Sequence, residues 1–164
     1  MSRHFVLAAG GTGGHMVPAA ALAAELTRRG HRVALVSDAR GVRFPGLFEG
    51  VQTHVLPAAR LAGGPVGWAK AGREMWRGRA MARELYRTFQ PAAVIGFGGY
   101  AAFPALLAAF ADKIPTAVHE QNAVLGRVNR LVTGRVDAIA TSYDRTERLA
   151  EKHALKARVV GNPV

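Results

Sequence analysis

The chain has 164 residues, 49% of them hydrophobic, with no cysteine and a formal charge of +11. That length and apolar fraction describe one folded domain of ordinary size and exclude a disordered chain, while the absence of cysteine excludes a disulfide scaffold and cysteine-ligated zinc and fits a reducing compartment. The charge surplus implies an anionic partner (nucleic acid, acidic lipid or phosphorylated substrate) unless it only reflects a generally basic, Arg-rich proteome, so its distribution has to decide.

Met1-Ser2-Arg3-His4 leads directly into Phe5-Val6-Leu7-Ala8, an apolar run that predicts a buried parallel strand. The run is too short for a secretory h-region, and no span of about 20 apolar residues follows anywhere, so a cytoplasmic protein not integral to a membrane is expected. The strand empties into Ala8-Ala9-Gly10-Gly11-Thr12-Gly13-Gly14-His15-Met16-Val17-Pro18. Pro18 is placed as a first helical residue, with Ala19 to Arg29 as the helix and Gly30 just past its end. Glycines in a strand-to-helix turn leave backbone N–H groups bare beside a partly positive helix N-terminus, which suits phosphate or another anion. Tight packing alone is the plainer account of such a turn; His15 at its far end makes it more specific.

Further along, Arg32 to Ser37 predicts a second strand with Asp38 at its carboxyl end, Gly41 to Gly50 a loop or short helix, and Val51 to Leu56 a third strand. A Gly/Pro/Ala-rich stretch, Ala58 to Gly67, precedes a helix from about Trp68 to Gln90. Ala93 to Phe97 is a fourth strand running into Gly98-Gly99-Tyr100, and Ala101 to Phe110 is a helix apolar nearly all round, with Pro104 in its first turn. Pro115 to His119 is a fifth strand ending in Glu120-Gln121-Asn122. Leu125 to Val132 reads as a helix, Asp137 to Thr141 as a sixth strand, Tyr143 to Lys152 as a helix, and Arg158 to Val160 as a last short strand.

Strands of this length separated by helices mean βαβ units, hence an α/β, doubly wound, mainly parallel, Rossmann-like sheet. Ligands of such sheets sit beyond the carboxyl ends of the strands. Three distinctive loops fall there: Gly10–His15, Gly98–Tyr100 and His119–Asn122. The dinucleotide fingerprint is broken at its sixth position by Met16, although Asp38 could serve a ribose, so a nicotinamide oxidoreductase stays as a minority alternative. No Walker A loop is present, and His15, His54 and His119 lack metal-ligand spacing, so no metal is expected.

Four motifs in order, Gly10-Gly11-Thr12-Gly13-Gly14-His15, Gly96-Phe97-Gly98-Gly99-Tyr100, His119-Glu120-Gln121-Asn122 and Val160-Gly161-Asn162-Pro163-Val164, resemble the N-terminal half of the MurG family. These are bacterial UDP-N-acetylglucosamine:lipid I N-acetylglucosaminyltransferases of peptidoglycan synthesis. The resemblance runs from about Phe5 to Val164. It implies one half of a GT-B fold, with residues 1–164 as the acceptor-binding domain and the donor domain lying outside them. It further implies UDP-GlcNAc and lipid I as substrates, no cofactor, and a peripheral position on the cytoplasmic face of the plasma membrane. His15 matches the proposed catalytic base, with the positioning of a phosphate or sugar as its alternative role. Gly11, Thr12, Gly13, Gly14, Gly98, Gly99 and Tyr100 match an acceptor-diphosphate site. Thr12, Gly13, Gly14 and Asn122 match donor-sugar contacts. Glu120 and Gln121 would order their loop or bond sugar hydroxyls, and His119 would be supporting.

The helix around Gly72 to Gln90 carries its own message. At about 100° per residue, Met75, Ala82, Leu85, Tyr86 and Phe89 form one stripe; Arg73, Arg77, Arg83 and Arg87 form the opposite one, with Trp76 among them and Arg79 at the margin. An aromatic within a basic stripe suits the headgroup level of an anionic membrane, the plain alternative being a solvated arginine face. Trp68, Leu61 and Gly63-Gly64-Pro65 are expected to border that surface. A nucleic-acid module would also use the charge, but the aromatics are not arrayed as base-stacking platforms, so no nucleic acid is expected.

Overall fold

The computed structural model describes residues 1–60 and 62–164; Leu61 lies outside them. Seven strands alternate with helices: β1 (His4–Ala8), α1 (Gly13–Arg28), β2 (Arg32–Ser37), β3 (Gln52–Val55), α2 (Gly64–Phe89), β4 (Ala93–Gly96), α3 (Ala102–Ala111), β5 (Thr116–Glu120), α4 (Arg127–Val132), β6 (Ala138–Thr141) and β7 (Ala157–Val159). Short 3-10 turns, Gly41–Arg43, Pro45–Leu47 and Glu151–Lys156, fill the remaining connections. The strands make one sheet in the order β3-β2-β1-β4-β5-β6-β7, and every pairing is parallel. The chain winds outward from β1 to β3 and then crosses back to β4, so the order reverses between β1 and β4, where such sheets bind ligands.

Alternation along β1 sorts the core into two layers. Val6 and Ala8 join Ala82, Tyr86 and Phe89 of α2 and the alanine-rich side of α3. Leu7 and Ala9 face the other way, onto Met16, Ala19 and Ala23 of α1 and onto Phe48. With both faces of β1 and β2 covered, their sequences read as unbroken apolar runs rather than alternating ones. Tyr86 is buried between helices and its hydroxyl donates 2.8 Å to the Ala105 carbonyl of α3; burial pushes the phenol well above its ordinary pKa. Tyr86→Phe should therefore lower unfolding stability by about 1 kcal/mol in urea titration with the fold intact.

Three expectations change. The first helix begins at Gly13, so Pro18 lies inside it. The missing proline N–H would have met the carbonyl of Gly14, and the first turn is anchored instead by His15 and Met16 amides donating to Thr12 O at 3.1 and 3.0 Å. His15 is thus a helical residue of the first turn. Residues 143–150 are not helical, and 151–152 only open the 3-10 turn: the Glu147 N–H donates to Ala123 O and its carbonyl accepts from Leu125 N–H, at 2.8 and 2.9 Å, which spends the backbone groups on a bridge to the β5–α4 loop. Arg148 at φ 67° breaks any helical run there. Finally, Arg83 leaves the basic stripe of α2: its guanidinium pairs with Asp112 after α3 at 2.8 Å, because at that level the two helices lie side by side.

Candidate active site at the sheet switch point

Parallel pairing brings the carboxyl ends of β1, β4 and β5 to one edge. Beyond β1 and β4 the ladder continues into the loops: Phe97 N–H donates to Ala8 O and Gly10 N–H to Gly98 O, at 2.8 and 3.0 Å. The two glycine turns then press backbone on backbone. A Cβ on Gly10 would lie 2.9 Å from Gly99 Cα, and one on Gly99 would lie 2.7 Å from Gly10 Cα. Gly99 also holds φ +84°, a conformation that side chains disfavour. No residue but glycine lets these turns interlock.

Both turns leave backbone groups free, although only the second of them lines the cavity described below. Among the described residues, the N–H groups of Gly11, Gly13 and Gly14 have no acceptor, and neither do those of Gly99 and Tyr100. The first set opens α1 and the second precedes α3, so two helix N-termini aim partial positive charge at the same edge. No acidic side chain occupies the first turn of either helix.

His15 stands between the turns. Its Nδ1 lies 3.0 Å from Gly10 O and 3.1 Å from Thr12 Oγ1. A carbonyl only accepts, so Nδ1 carries a proton, and in the neutral ring the lone pair is on Nε2. That nitrogen faces Gly98, 3.0 Å from where a Cβ would stand. His15, Gly98, Gly99 and Tyr100 form one wall of a cavity of about 180 Å³ whose other wall includes Glu120, Asn122, Arg127 and Asn129.

The His119–Asn122 segment divides its labour. His119 is buried with both ring nitrogens engaged: Nε2–H donates 2.9 Å to Gly161 O, and Nδ1 accepts 3.0 Å from Gln121 Nε2. Gln121 also donates to His119 O. These two residues tie β5 to the Gly161-Asn162-Pro163 segment. Glu120, 2% exposed, accepts from Gly126 N–H and Asn129 Nδ2 on Oε1, and from the backbone and side-chain amides of Asn122 on Oε2. Its carboxylate is consumed in shaping the 121–126 loop. Asn122 is exposed at the rim.

Comparison with known families decides the assignment. The model of the glycosyltransferase family 28 N-terminal domain matches residues 5–141. The chain belongs to that family.

The family 28 domain is 63% identical over 163 residues, 99% of its length and 42% of the relative's, to a UDP-N-acetylglucosamine--N-acetylmuramyl-(pentapeptide) pyrophosphoryl-undecaprenol N-acetylglucosamine transferase of Zymomonas mobilis. A transferase of the same name from Novosphingobium aromaticivorans is 62% identical over 164 residues, all of this chain and 42% of that protein. The crystal structure of Acinetobacter baumannii MurG superposes with a TM-score of 0.82 at 26% identity, over 98% of this chain and 46% of that one. The domain therefore spans less than half the length of these relatives, and its architecture is that of one half of a GT-B fold.

The nicotinamide alternative loses its anchor in the family 28 domain. Asp38 is turned inward: Oδ1 accepts from the Arg40 and Gly41 amides and Oδ2 from the Arg40 guanidinium, closing the turn after β2. Met16, at the broken position of the fingerprint, is fully buried against β2 with its sulfur 3.8 Å from Ser37 Oγ. Four wall residues escaped the motif reading, Gly126, Arg127, Val128 and Asn129. Asn129 is 2% exposed; its Nδ2 donates to His119 O and Glu120 Oε1, both acceptors only, so the amide orientation is fixed. Its buried Oδ1 has no partner among the described residues. The signal was an asparagine at helical spacing from Leu125 and Val132, on the side of the stretch that is buried, a position that a purely packing role does not call for.

Proposed function

We propose that this chain is the acceptor-binding domain of an inverting glycosyltransferase that moves N-acetylglucosamine from UDP-GlcNAc to the C4 hydroxyl of the muramoyl sugar of lipid I, a step of peptidoglycan synthesis. The observation that carries the reading is the interlock of the two glycine turns, which brings the unpaired amides of both to one sheet edge, with His15, Gly99 and Tyr100 lining the cavity there. In the reaction the acceptor O4 forms a bond to the anomeric carbon, the bond from that carbon to the UDP oxygen breaks, and its electron pair leaves with UDP. His15 Nε2 takes the hydroxyl proton. The amides of Gly11, Gly13, Gly14, Gly99 and Tyr100 hold the acceptor diphosphate, as fixed dipoles that need no reorganisation. Thr12 and Asn122 stand at the rim, where they meet the donor sugar, and Asn129 Oδ1 offers an acceptor to a hydroxyl.

The 164 residues build a single sheet, so the chain alone is expected to give no transfer. Replacing the matched 42% of the Zymomonas mobilis relative by this chain should give a chimera that converts lipid I to lipid II. A folded chimera without turnover would defeat the proposal, as would turnover by the 164 residues alone.

The same reading puts the protein on the cytoplasmic face of an anionic membrane. No helix among the described residues is long and apolar enough to cross a membrane. Trp76 is 66% exposed with the Arg79 guanidinium 4.7 Å above its ring. Arg73 lies on the same exposed side, whereas Arg77 and Arg87 each share their charge with a glutamate one turn earlier. Trp68 is exposed near the start of α2. An aromatic body under a cationic head fits the interface between lipid tails and phosphates. Sedimentation with vesicles containing phosphatidylglycerol should fall severalfold for Trp76→Ala and for Arg79→Glu, with Met1-side surface variants such as Arg3→Ala unchanged; equal pelleting of all would refute the membrane face.

A further inference from the structure

The diphosphate cavity has a neighbour. Tyr100, Arg127 and Val128 line it and also line a second cavity of about 200 Å³, completed by Gly72 and Met75 of α2, Phe103 of α3 and Leu131 of α4. Apart from the Arg127 guanidinium and the Tyr100 hydroxyl, the side chains of this slot are hydrocarbon or thioether. Leu131 stands at its rim, 60% exposed. Trp76 and Arg79 sit one turn further along α2 than Gly72 and Met75, so the slot lies beside the aromatic-basic face of that helix. The arrangement is a polar cavity beside the glycine turns, then a cation at the junction, then an apolar slot.

We propose that this slot holds the prenyl units nearest the diphosphate of the polyprenyl carrier, with Arg127 bridging the junction. The inference rests on the acceptor reading above and adds a subsite to it. The slot is too small for a whole polyprenyl chain; it takes only the units beside the diphosphate, and the remainder leaves past Leu131 toward the membrane. This orients the acceptor. The muramoyl sugar lies toward His15, the diphosphate spans the glycine turns, and the tail runs between α2 and α4. An acceptor bound the other way round would place a charged sugar-peptide in a hydrocarbon slot.

Gly72 provides the test, because a Cβ built there meets nothing within 4 Å. Gly72→Leu adds a better helix former whose Cβ meets no neighbour, on a residue that lines the slot. The 164-residue chain is titrated calorimetrically with inorganic pyrophosphate and with geranyl diphosphate below its micelle concentration. Geranyl diphosphate is expected to bind at least about tenfold tighter than pyrophosphate. Gly72→Leu, and independently Leu131→Asn, should remove most of that gain while leaving pyrophosphate affinity unchanged. Equal affinity for the two ligands overturns the proposal, and so does a tail-dependent gain that survives both substitutions, which would place the tail elsewhere. No binding of geranyl diphosphate overturns it as well. The acceptor reading fails separately, if pyrophosphate binds Gly99→Ala as well as it binds the wild type.

Discussion

In the chimera with the Zymomonas mobilis relative, His15→Ala should lower kcat by about 10²–10⁴-fold with little change in KM for either substrate. The expectation follows from how the imidazole is held. Gly10 O can only accept, so it keeps the proton on Nδ1, with Thr12 Oγ1 sharing the same hydrogen. Nε2 is left as a base at the wall formed by Gly98, beside the cavity. Its lone pair is used only when the acceptor hydroxyl loses its proton, in the transition state. Removing it should therefore leave ground-state binding nearly intact. His15→Gln keeps a polar side chain of similar reach but no base, and it should be about as slow as the alanine variant. A loss confined to KM in both variants would reduce His15 to a residue that positions phosphate or sugar.

The second large effect is expected at the contact between the turns. Gly99→Ala should destabilise the chain by roughly 2–4 kcal/mol in urea denaturation, the sum of a left-handed alanine and an overpacked contact. The new methyl would stand 2.7 Å from Gly10 Cα, backbone that cannot swing aside. Forcing the turns apart also separates the two sets of amides, so pyrophosphate affinity should fall at least about tenfold. Gly13→Ala is the matched control. Its methyl meets only the edge of Phe44 at 3.9 Å, and Gly13 is not among the residues with positive φ. That variant should keep wild-type stability and most of the anion affinity. Identical stability of Gly99→Ala and wild type would mean that the turns are not locked together.

The resemblance and the geometry divide the site between them. Motif order named His15, Gly98, Gly99, Tyr100 and Asn122, which line one cavity, together with Gly11, Thr12, Gly13 and Gly14, which do not line it. It could not say what Glu120 and His119 do, because a carboxylate or an imidazole at a strand end is equally suited to a ligand or to a turn. Only the coordinates show every oxygen of Glu120 and both nitrogens of His119 engaged by the protein itself. Arg83 teaches the same lesson on α2. Helical periodicity assigns it to the basic stripe, but Asp112 comes from another helix and periodicity is blind to it.

What the amino-acid sequence determined by itself was whatever depends on near neighbours in the chain. The apolar runs of β1 and β2, the glycine turns and the amphipathic α2 are all written within a window of a few residues, where burial pattern and backbone sterics act directly. Residues 143–152 failed by the same standard, since their helical pattern lost to a bridge with Val124, some 20 positions away. Tertiary structure alone decided the pressing together of Gly10 and Gly99, the placing of His15 Nε2 against Gly98, and the apolar slot shared by α2, α3 and α4. Each of these is made by residues far apart in the chain, and short-range hydrogen bonding and packing act between them only after the sheet has closed.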